Sequence, residues 1–311
     1  MQMDDHRILV LSAMPPELRA KLEQDFTLDE YEPGTDAPGY AIAVTTSVGG
    51  LDQDLSARLP DLRLLLCNGT GLDRIDLPAA HARGVIVRNT PDEVVDDTAE
   101  FAVAMLFATS RRLVEADRFV RAGQWGPSRM APSRRTSAMT VGIVGLGRIG
   151  QTIAGHCAAI GVSVVYAGPT PKPDQPYRHF ADLREMAAHV DALVLSCAGG
   201  PETHHLVGKD ILEALGPQGI LINVSRGSVV DEAALLAALE GGAIAGAGLD
   251  VFASEPALDP RFLALENVVL SPHYASVTDA TRQGMADTLA EAAHDFLAGR
   301  GDAIQDAAAG H

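Results

Sequence analysis

Apolar runs of strand length alternate along this chain with segments whose apolar residues recur at helical spacing, and the alternation continues from end to end. In the first third, the runs at 7–12, 41–46, 62–67 and 85–89 read as strands, with helices between them, for instance over 17–25 and 52–59. A second series begins at Met139 and reads TVGIVG, VSVVYA, DALVLSC, GILINVS, AGLDVF and NVVLSPH, six candidate strands with a helical segment between all but the last two. Strands that alternate with helices are joined by crossovers, so each series predicts a parallel sheet covered by helices on both faces. The expected fold class is α/β, with two doubly wound parallel-sheet domains.

Between the two series, residues 96–122 read as one long connecting helix, AEFAVAMLFATSRRLVEADRFV, opened by Asp97 with Glu100 three residues later in the manner of a capping box. The segment that follows, GQWGPSRMAPSRRTSAM, carries the glycine, proline and serine of a loop. After His273 a last helical pattern, 278–297, leads back toward the first domain, and the terminal AAAG is expected to fray.

The strand TVGIV runs directly into Gly145, Gly147 and Gly150 in a G-x-G-x-x-G spacing, and the helical pattern QTIAGHCAAIG opens at once. That context is what a dinucleotide site requires: Gly145 for the tight turn, Gly147 for close approach of backbone amides to a pyrophosphate, and Gly150 for close packing of helix on strand. An NAD site places a carboxylate after the second strand to hold the ribose diol. Here the strand VSVVYA is followed by Gly168, Pro169, Thr170, Pro171 and Lys172, with no acid. The hydroxyl of Thr170 and the cation of Lys172 suit a 2′-phosphate, which favours NADP and leaves NAD as the alternative.

Ligands of open parallel sheets bind beyond the carboxyl ends of the strands. Three polar residues lie there: Arg226 after GILINVS, Glu255 in the loop after AGLDVF, and His273 after NVVLSP. Their chemistry suits reduction of a 2-keto acid. The permanently charged, planar guanidinium of Arg226 can grip a carboxylate and polarise the adjacent carbonyl. Histidine ordinarily titrates near neutrality, so His273 can hand the carbonyl oxygen a proton as hydride reaches carbon, and Glu255 can fix its tautomer and stabilise the imidazolium. Asp250, at the end of an apolar strand, is suited to a side-chain hydrogen bond to cofactor or backbone.

Composition narrows the classes of function. A chain of 311 residues, 47% of them hydrophobic, has material for about two packed domains. Its net charge of −17 argues against nucleic acid and membrane surfaces as partners and makes local cations such as Arg226 necessary for a small anionic substrate. No stretch approaches the roughly 20 apolar residues of a membrane span, and MQMDDHRILVLSAMPPELRA lacks the layout of a secretory signal, so a cytoplasmic location is expected. Cys67, Cys157 and Cys197 are isolated in apolar stretches and read as buried free thiols. The adjacent His204 and His205 have no third ligand at metal spacing, and no metal is expected.

Taken together, NGTGLDRIDL, NTPDEVVDDTAE, VGIVGLGRIG, LSCAGGPETHHLV, GILINVSRGSVVDEAAL, AGAGLDVFASEP and NVVLSPHYAS resemble the motifs of the D-isomer-specific 2-hydroxyacid dehydrogenases, over about residues 62–285. The resemblance implies a catalytic trio of Arg226, Glu255 and His273, the same three residues. It implies a flavodoxin-like substrate domain built from 1–97 plus 283–311, with a Rossmann dinucleotide-binding domain, 98–282, inserted. Backbone amides of Val48 and Gly49, and of Gly69, Thr70 and Gly71, are implied to bind the substrate carboxylate along with Arg226 and His273, and domain closure to exclude water before hydride transfer. Further cofactor contacts are implied at Arg148 and Ile149 beside the glycines, and at Cys197, Thr203, Val224, Ser225, Asp250 and Ala275.

Within the family, NTPD followed by DD, with LSCAGGPET, is similar to the NADPH-dependent glyoxylate/hydroxypyruvate and hydroxyphenylpyruvate reductases. Those enzymes often carry an arginine where this chain has Pro169. Trp125 resembles a residue that in some relatives reaches the neighbouring subunit's site, which implies a homodimer. The expected reaction is reduction of a small 2-keto acid of the glyoxylate or hydroxypyruvate type to the D-2-hydroxy acid, with hydride from NAD(P)H and a proton from His273. An NAD-linked dehydrogenase of another 2-hydroxy acid, of the 2-ketogluconate type, would use the same machinery. Corepressor-like proteins that sense the dinucleotide also resemble the family, but the complete Arg, Glu and His set opposes that reading. Residues around Val48, Thr70, Trp125 and Met130 surround the substrate side chain in a geometry the sequence does not specify.

Overall fold

The structure, a computed structural model, describes residues 6–307 and separates into two compact units, Met1–Val94 with Val277–His311, and Val95–Ser276. The first unit runs β1 (Arg7–Val10), α1 (Pro16–Leu22), β2 (Thr27–Glu30), β3 (Ile42–Thr46), α2 (Gln53–Ala57), β4 (Leu64–Asn68), α3 (Leu77–Ala82) and β5 (Ile86–Arg88). All pairings are parallel, in the order β2-β1-β3-β4-β5, with Ile8 opposite Ile42, Ile42 opposite Leu64 and Leu64 opposite Ile86. That register sends Ile8, Ile42 and Leu64 into one core, and Leu9, Ala43 and Leu65 into the other. Because both faces are buried, these strands read as continuous apolar runs instead of alternating ones. Asp52 and Asp76 cap α2 and α3 by accepting the Leu55 and Ala79 N–H groups.

The second unit contains α4 (Val95–Ser110), α5 (Leu113–Arg121), β6 (Thr140–Val144), α6 (Arg148–Ala159), β7 (Ser163–Ala167), β8 (Arg178–Phe180), α7 (Leu183–Ala187), β9 (Ala192–Leu195), α8 (Lys209–Leu215), β10 (Ile220–Asn223), α9 (Glu232–Glu240), β11 (Gly246–Leu249), α10 (Arg261–Ala264) and β12 (Val268–Leu270). Its seven parallel strands lie in the order β12-β11-β10-β9-β6-β7-β8, so the winding reverses between β6 and β9. The chain then returns to the first unit through α11 (Asp279–Leu297), capped by Thr278, whose side chain accepts the Thr281 N–H. None of the described helices is long and apolar enough to cross a membrane.

Several sequence expectations need correction. Residues 96–122 form two helices, because Arg112 adopts a left-handed backbone (φ 52°) between α4 and α5. Glycine or asparagine usually marks such a break, and an arginine gives no signal of it. Asp97 is not a cap: α4 already starts at Val95, and Asp96 and Asp97 sit in its first turn, where acids complement the helix dipole. Three short elements were not expected. Strand β2 is a partly exposed edge strand, TLDE, without an apolar pattern, and β8 has only three residues. A four-residue helix, α10, separates β11 from β12. The junctions between units fall at 94/95 and 276/277 instead of 97/98 and 282/283. The first turn of α11 is tied into the first unit, where Thr281 Oγ1 donates to the Glu93 carbonyl at 3.1 Å. Apart from Ala307, the terminal AAAG lies outside the described residues.

Candidate active site

In an open parallel sheet the ligand crevice opens where the winding reverses, here beyond the ends of β6 and β9. After β6 the chain turns at Gly145 (φ 90°), whose N–H donates to the Ala167 carbonyl at 2.9 Å. A Cβ at Gly145 would sit 2.6 Å from the Cα of Cys197, and one at Gly150 would sit 2.2 Å from the Gly145 carbonyl oxygen. Packing therefore demands both glycines. Gly147 differs, since nothing lies within 4 Å of a Cβ placed there. Its missing side chain leaves open space in front of α6, which it precedes as an N-cap with no side chain to offer. A twelve-residue helix with an uncapped start and an open approach fits a dinucleotide pyrophosphate. Ser196, which sequence reasoning missed, ties the loop to β9 by donating from Oγ to the Gly145 carbonyl at 2.9 Å.

The remaining cofactor candidates fall on neighbouring strand ends. Thr170 and Lys172 are exposed after β7, next to the glycine loop. Thr203 Oγ1 donates to the Ala198 carbonyl at 2.7 Å and shapes the loop after β9. Val224 and Ser225 are buried after β10, and the Ser225 N–H and Oγ both donate to Asn223 Oδ1. Burial pushes the Cys197 thiol up, and pushes Cys157 to about 11 and Cys67 to about 12, so all three stay protonated thiols near neutrality. His204 and His205 stack with ring centroids 3.9 Å apart on an exposed loop. Among the described residues no three His, Cys, Asp or Glu side chains are grouped to hold a metal ion.

The three strand-end residues converge because their loops pack backbone to backbone. Arg226 follows β10, with its carbonyl accepting from Asn223 Nδ2 at 3.0 Å. At the next residue, a Cβ on Gly227 would lie 2.0 Å from the Phe252 carbonyl carbon, so only glycine lets this loop lie on the one after β11. Glu255, in that second loop, accepts the Phe252 N–H on Oε1 at 2.8 Å and the His273 Nδ1–H on Oε2 at 2.8 Å. Burial pushes the Glu255 carboxyl up. The His273 and Phe252 hydrogen bonds, with the charges of His273 and Arg226, outweigh that and hold it below the ordinary carboxylate value. His273 has a left-handed backbone (φ 54°) that is imposed from Asp250. The Asp250 carbonyl accepts the His273 N–H at 2.8 Å, and its buried carboxylate accepts the N–H groups of Tyr274 (2.7 Å) and Ala275 (3.0 Å). Asp250 thus binds backbone and sets the direction of the histidine.

In the first unit, the loops after β3 and β4 carry the five expected carboxylate-binding residues. The Gly49 N–H already donates to Thr46 Oγ1 at 3.1 Å, and the Gly69 N–H to Thr90 Oγ1 at 3.0 Å. Of these five amides, those of Val48, Thr70 and Gly71 are the ones without an internal acceptor. Gly69 is required by its backbone (φ 130°), which side-chain-bearing residues rarely adopt. Arg74 Nη1 donates to the Val48 carbonyl at 3.0 Å and steadies the loop, another role that the sequence did not reveal.

Known proteins resemble this chain in sequence and fold. The pattern of the D-isomer specific 2-hydroxyacid dehydrogenase NAD binding domain matches residues 103–275. The chain is 42% identical over 289 residues to a 2-ketogluconate reductase of Gluconobacter oxydans (strain 621H), covering 91% of this chain and 93% of that protein. It is 37% identical over 293 residues to a glyoxylate/hydroxypyruvate reductase A of Arabidopsis thaliana, covering 92% and 94%. Among solved structures it is similar to an NADPH-dependent glyoxylate/hydroxypyruvate reductase from Sinorhizobium meliloti in complex with NADP and malonate, with a TM-score of 0.89 and 37% identity over 94% of each chain.

Proposed function

The chain belongs to the D-isomer-specific 2-hydroxyacid dehydrogenases, and on that premise we propose that it reduces a glyoxylate- or hydroxypyruvate-type 2-keto acid with NADPH preferred over NADH. Membership makes it an NAD(P)-dependent oxidoreductase of 2-hydroxy acids. The observation that carries the chemistry is the 2.8 Å hydrogen bond from His273 Nδ1 to a Glu255 carboxylate that also faces the Arg226 charge.

When bound, the nicotinamide supplies the hydride for the carbonyl carbon. The protein's own groups do the rest. Arg226 binds the substrate carboxylate and draws electron density from the carbonyl. With Nδ1 committed to Glu255, Nε2 of His273 gives its proton to the carbonyl oxygen, leaving neutral imidazole and the hydroxy acid. Glu255 stays ionised throughout. For the substrate carboxylate, the amides of Val48, Thr70 and Gly71 are the available donors of the first unit, and those of Gly49 and Gly69 shape the loops. Preference for NADPH is supported by the exposed Thr170 and Lys172 after β7 and the lack of an acid between Ala167 and Lys172.

A second reading, a sugar-derived 2-keto acid as substrate, is favoured by the 42% identity to a 2-ketogluconate reductase. Initial rates with glyoxylate, hydroxypyruvate, phenylpyruvate and 2-ketogluconate, each with NADPH and NADH, test both. The proposal expects the highest kcat/KM with glyoxylate or hydroxypyruvate and NADPH. Turnover confined to 2-ketogluconate, or a clear preference for NADH, would overturn the corresponding half.

The proposed assembly is a cytosolic homodimer. Three free thiols suit a reducing compartment. Helix α5 buries none of its residues, and Leu113 (61% exposed), Val120 (53%) and the following Trp125 (69%) present an apolar face. Seven of the 24 cationic residues fall between Arg111 and Arg135, beside two acids, in a chain of net charge −17. A second copy supplies the acidic surface that such an arm complements.

A further inference from the structure

The loop 168–172 leaves the end of β7 beside the glycine loop and contains no helix or strand. Pro169 and Pro171 remove two of its N–H donors, so its shape must be held from outside. Two side chains hold it. Nε2 of His179, on β8, lies 3.0 Å from the Gly168 carbonyl, and because a carbonyl accepts, Nε2 carries the hydrogen. The Tyr166 hydroxyl, on β7, accepts the Lys172 N–H at 2.7 Å. Tyr166 and His179 are register partners on adjacent strands, with ring centroids 5.0 Å apart, and Tyr166 is 1% exposed. The first and last residues of the loop are therefore tied to one rigid pair of strands.

These ties order a segment whose own polar side chains, Thr170 and Lys172, are exposed. Fixing them adds little to the core, but it removes in advance the ordering cost that a ligand would otherwise meet. The geometry points to Tyr166 and His179 as positioning residues that preset Thr170 and Lys172 for the 2′-phosphate of NADP, and so contribute to its selection over NAD. Strand β8, the short element that the sequence pattern did not reveal, supplies one of the two anchors. The inference rests on the NADP reading given above.

The test is calorimetric binding of adenosine 2′,5′-bisphosphate and of 5′-AMP to the wild type, Tyr166→Phe and His179→Ala, with thermal melting as a check on folding. Tyr166→Phe keeps the buried ring and removes only the hydroxyl that accepts the Lys172 N–H. Each variant is expected to weaken bisphosphate binding by about fivefold, the usual worth of one hydrogen bond, and to move AMP by less than about twofold. In kinetics KM for NADPH rises while KM for the keto acid holds. His179→Gln, which retains an N–H donor, should recover most of the affinity lost in His179→Ala. A wild type that binds the bisphosphate no more tightly than AMP overturns the NADP reading, and this inference with it. A wild type that prefers the bisphosphate, with variants that lose both ligands equally or neither, overturns the positioning role alone. If Tyr166→Phe does not fold, the His179 pair decides by the same criteria.

Discussion

Replacing Glu255 by Gln keeps the side chain's shape and removes the charge that faces His273 across a 2.8 Å hydrogen bond. Two unit charges about 4 Å apart interact by about 4 kcal/mol at an effective dielectric of about 20 and by about 1 kcal/mol in water. The His273 side chain is 42% exposed and that of Glu255 31%, so solvent screening places the pair toward the lower figure, at about 1.5–2 kcal/mol. Losing that stabilisation of the imidazolium slows keto-acid reduction about 10- to 30-fold at neutral pH. Oxidation of the hydroxy acid should suffer more. With Oε1 of Gln still accepting the Phe252 N–H, its NH2 group faces Nδ1, which leaves the hydrogen on Nε2, the nitrogen that has to accept one. Initial rates in both directions from pH 6 to about 9, at saturating cofactor, give the comparison. A Glu255→Gln enzyme within about threefold of wild type in both directions would refute the proposed role of the charge.

The same substitution has a stability signature. The Glu255 carboxyl is held below its ordinary value, so its contribution is fully present above about pH 4.3 and is lost as pH falls through the lowered value. The Tm gap between wild type and Glu255→Gln should be open at neutral pH and close in strongly acid solution. His273→Ala should lower kcat by at least about two orders of magnitude, and Arg226→Lys should mainly raise KM for the keto acid, since lysine cannot reproduce the fork. The second and third glycines of the loop separate packing from binding: Gly150→Ala places a Cβ 2.2 Å from a carbonyl oxygen and should lower Tm, while Gly147→Ala meets nothing within 4 Å and should leave Tm unchanged but weaken cofactor binding. Asp250→Asn sets an NH2 group against one of the two N–H groups that the carboxylate now accepts and should lower both Tm and kcat, read by melting and steady-state rates. Val120→Glu on α5 should shift light-scattering mass toward the monomer; an unchanged dimer would move the interface elsewhere.

The sequence by itself determined the alternation of strand and helix and the glycine loop, and it nominated Arg226, Glu255 and His273. Strands buried on both faces are continuous apolar runs, and residues beyond their carboxyl ends can be named without coordinates. Elements whose signal is not hydrophobic stayed hidden: β2 and β8 are short edge strands, and the break at Arg112 depends on a backbone conformation that arginine seldom adopts. The tertiary structure alone decided how the trio is held. Gly227 matters because the Phe252 backbone lies against it, and Asp250 because its carboxylate receives the amides that follow His273. It also decided which N–H groups are available for a ligand, since the Gly49 and Gly69 amides are taken up by threonine hydroxyls. Such facts are contacts between residues far apart in the chain. Local pattern can nominate a residue for chemistry, but whether its donors and acceptors are free depends on neighbours that only folding brings alongside.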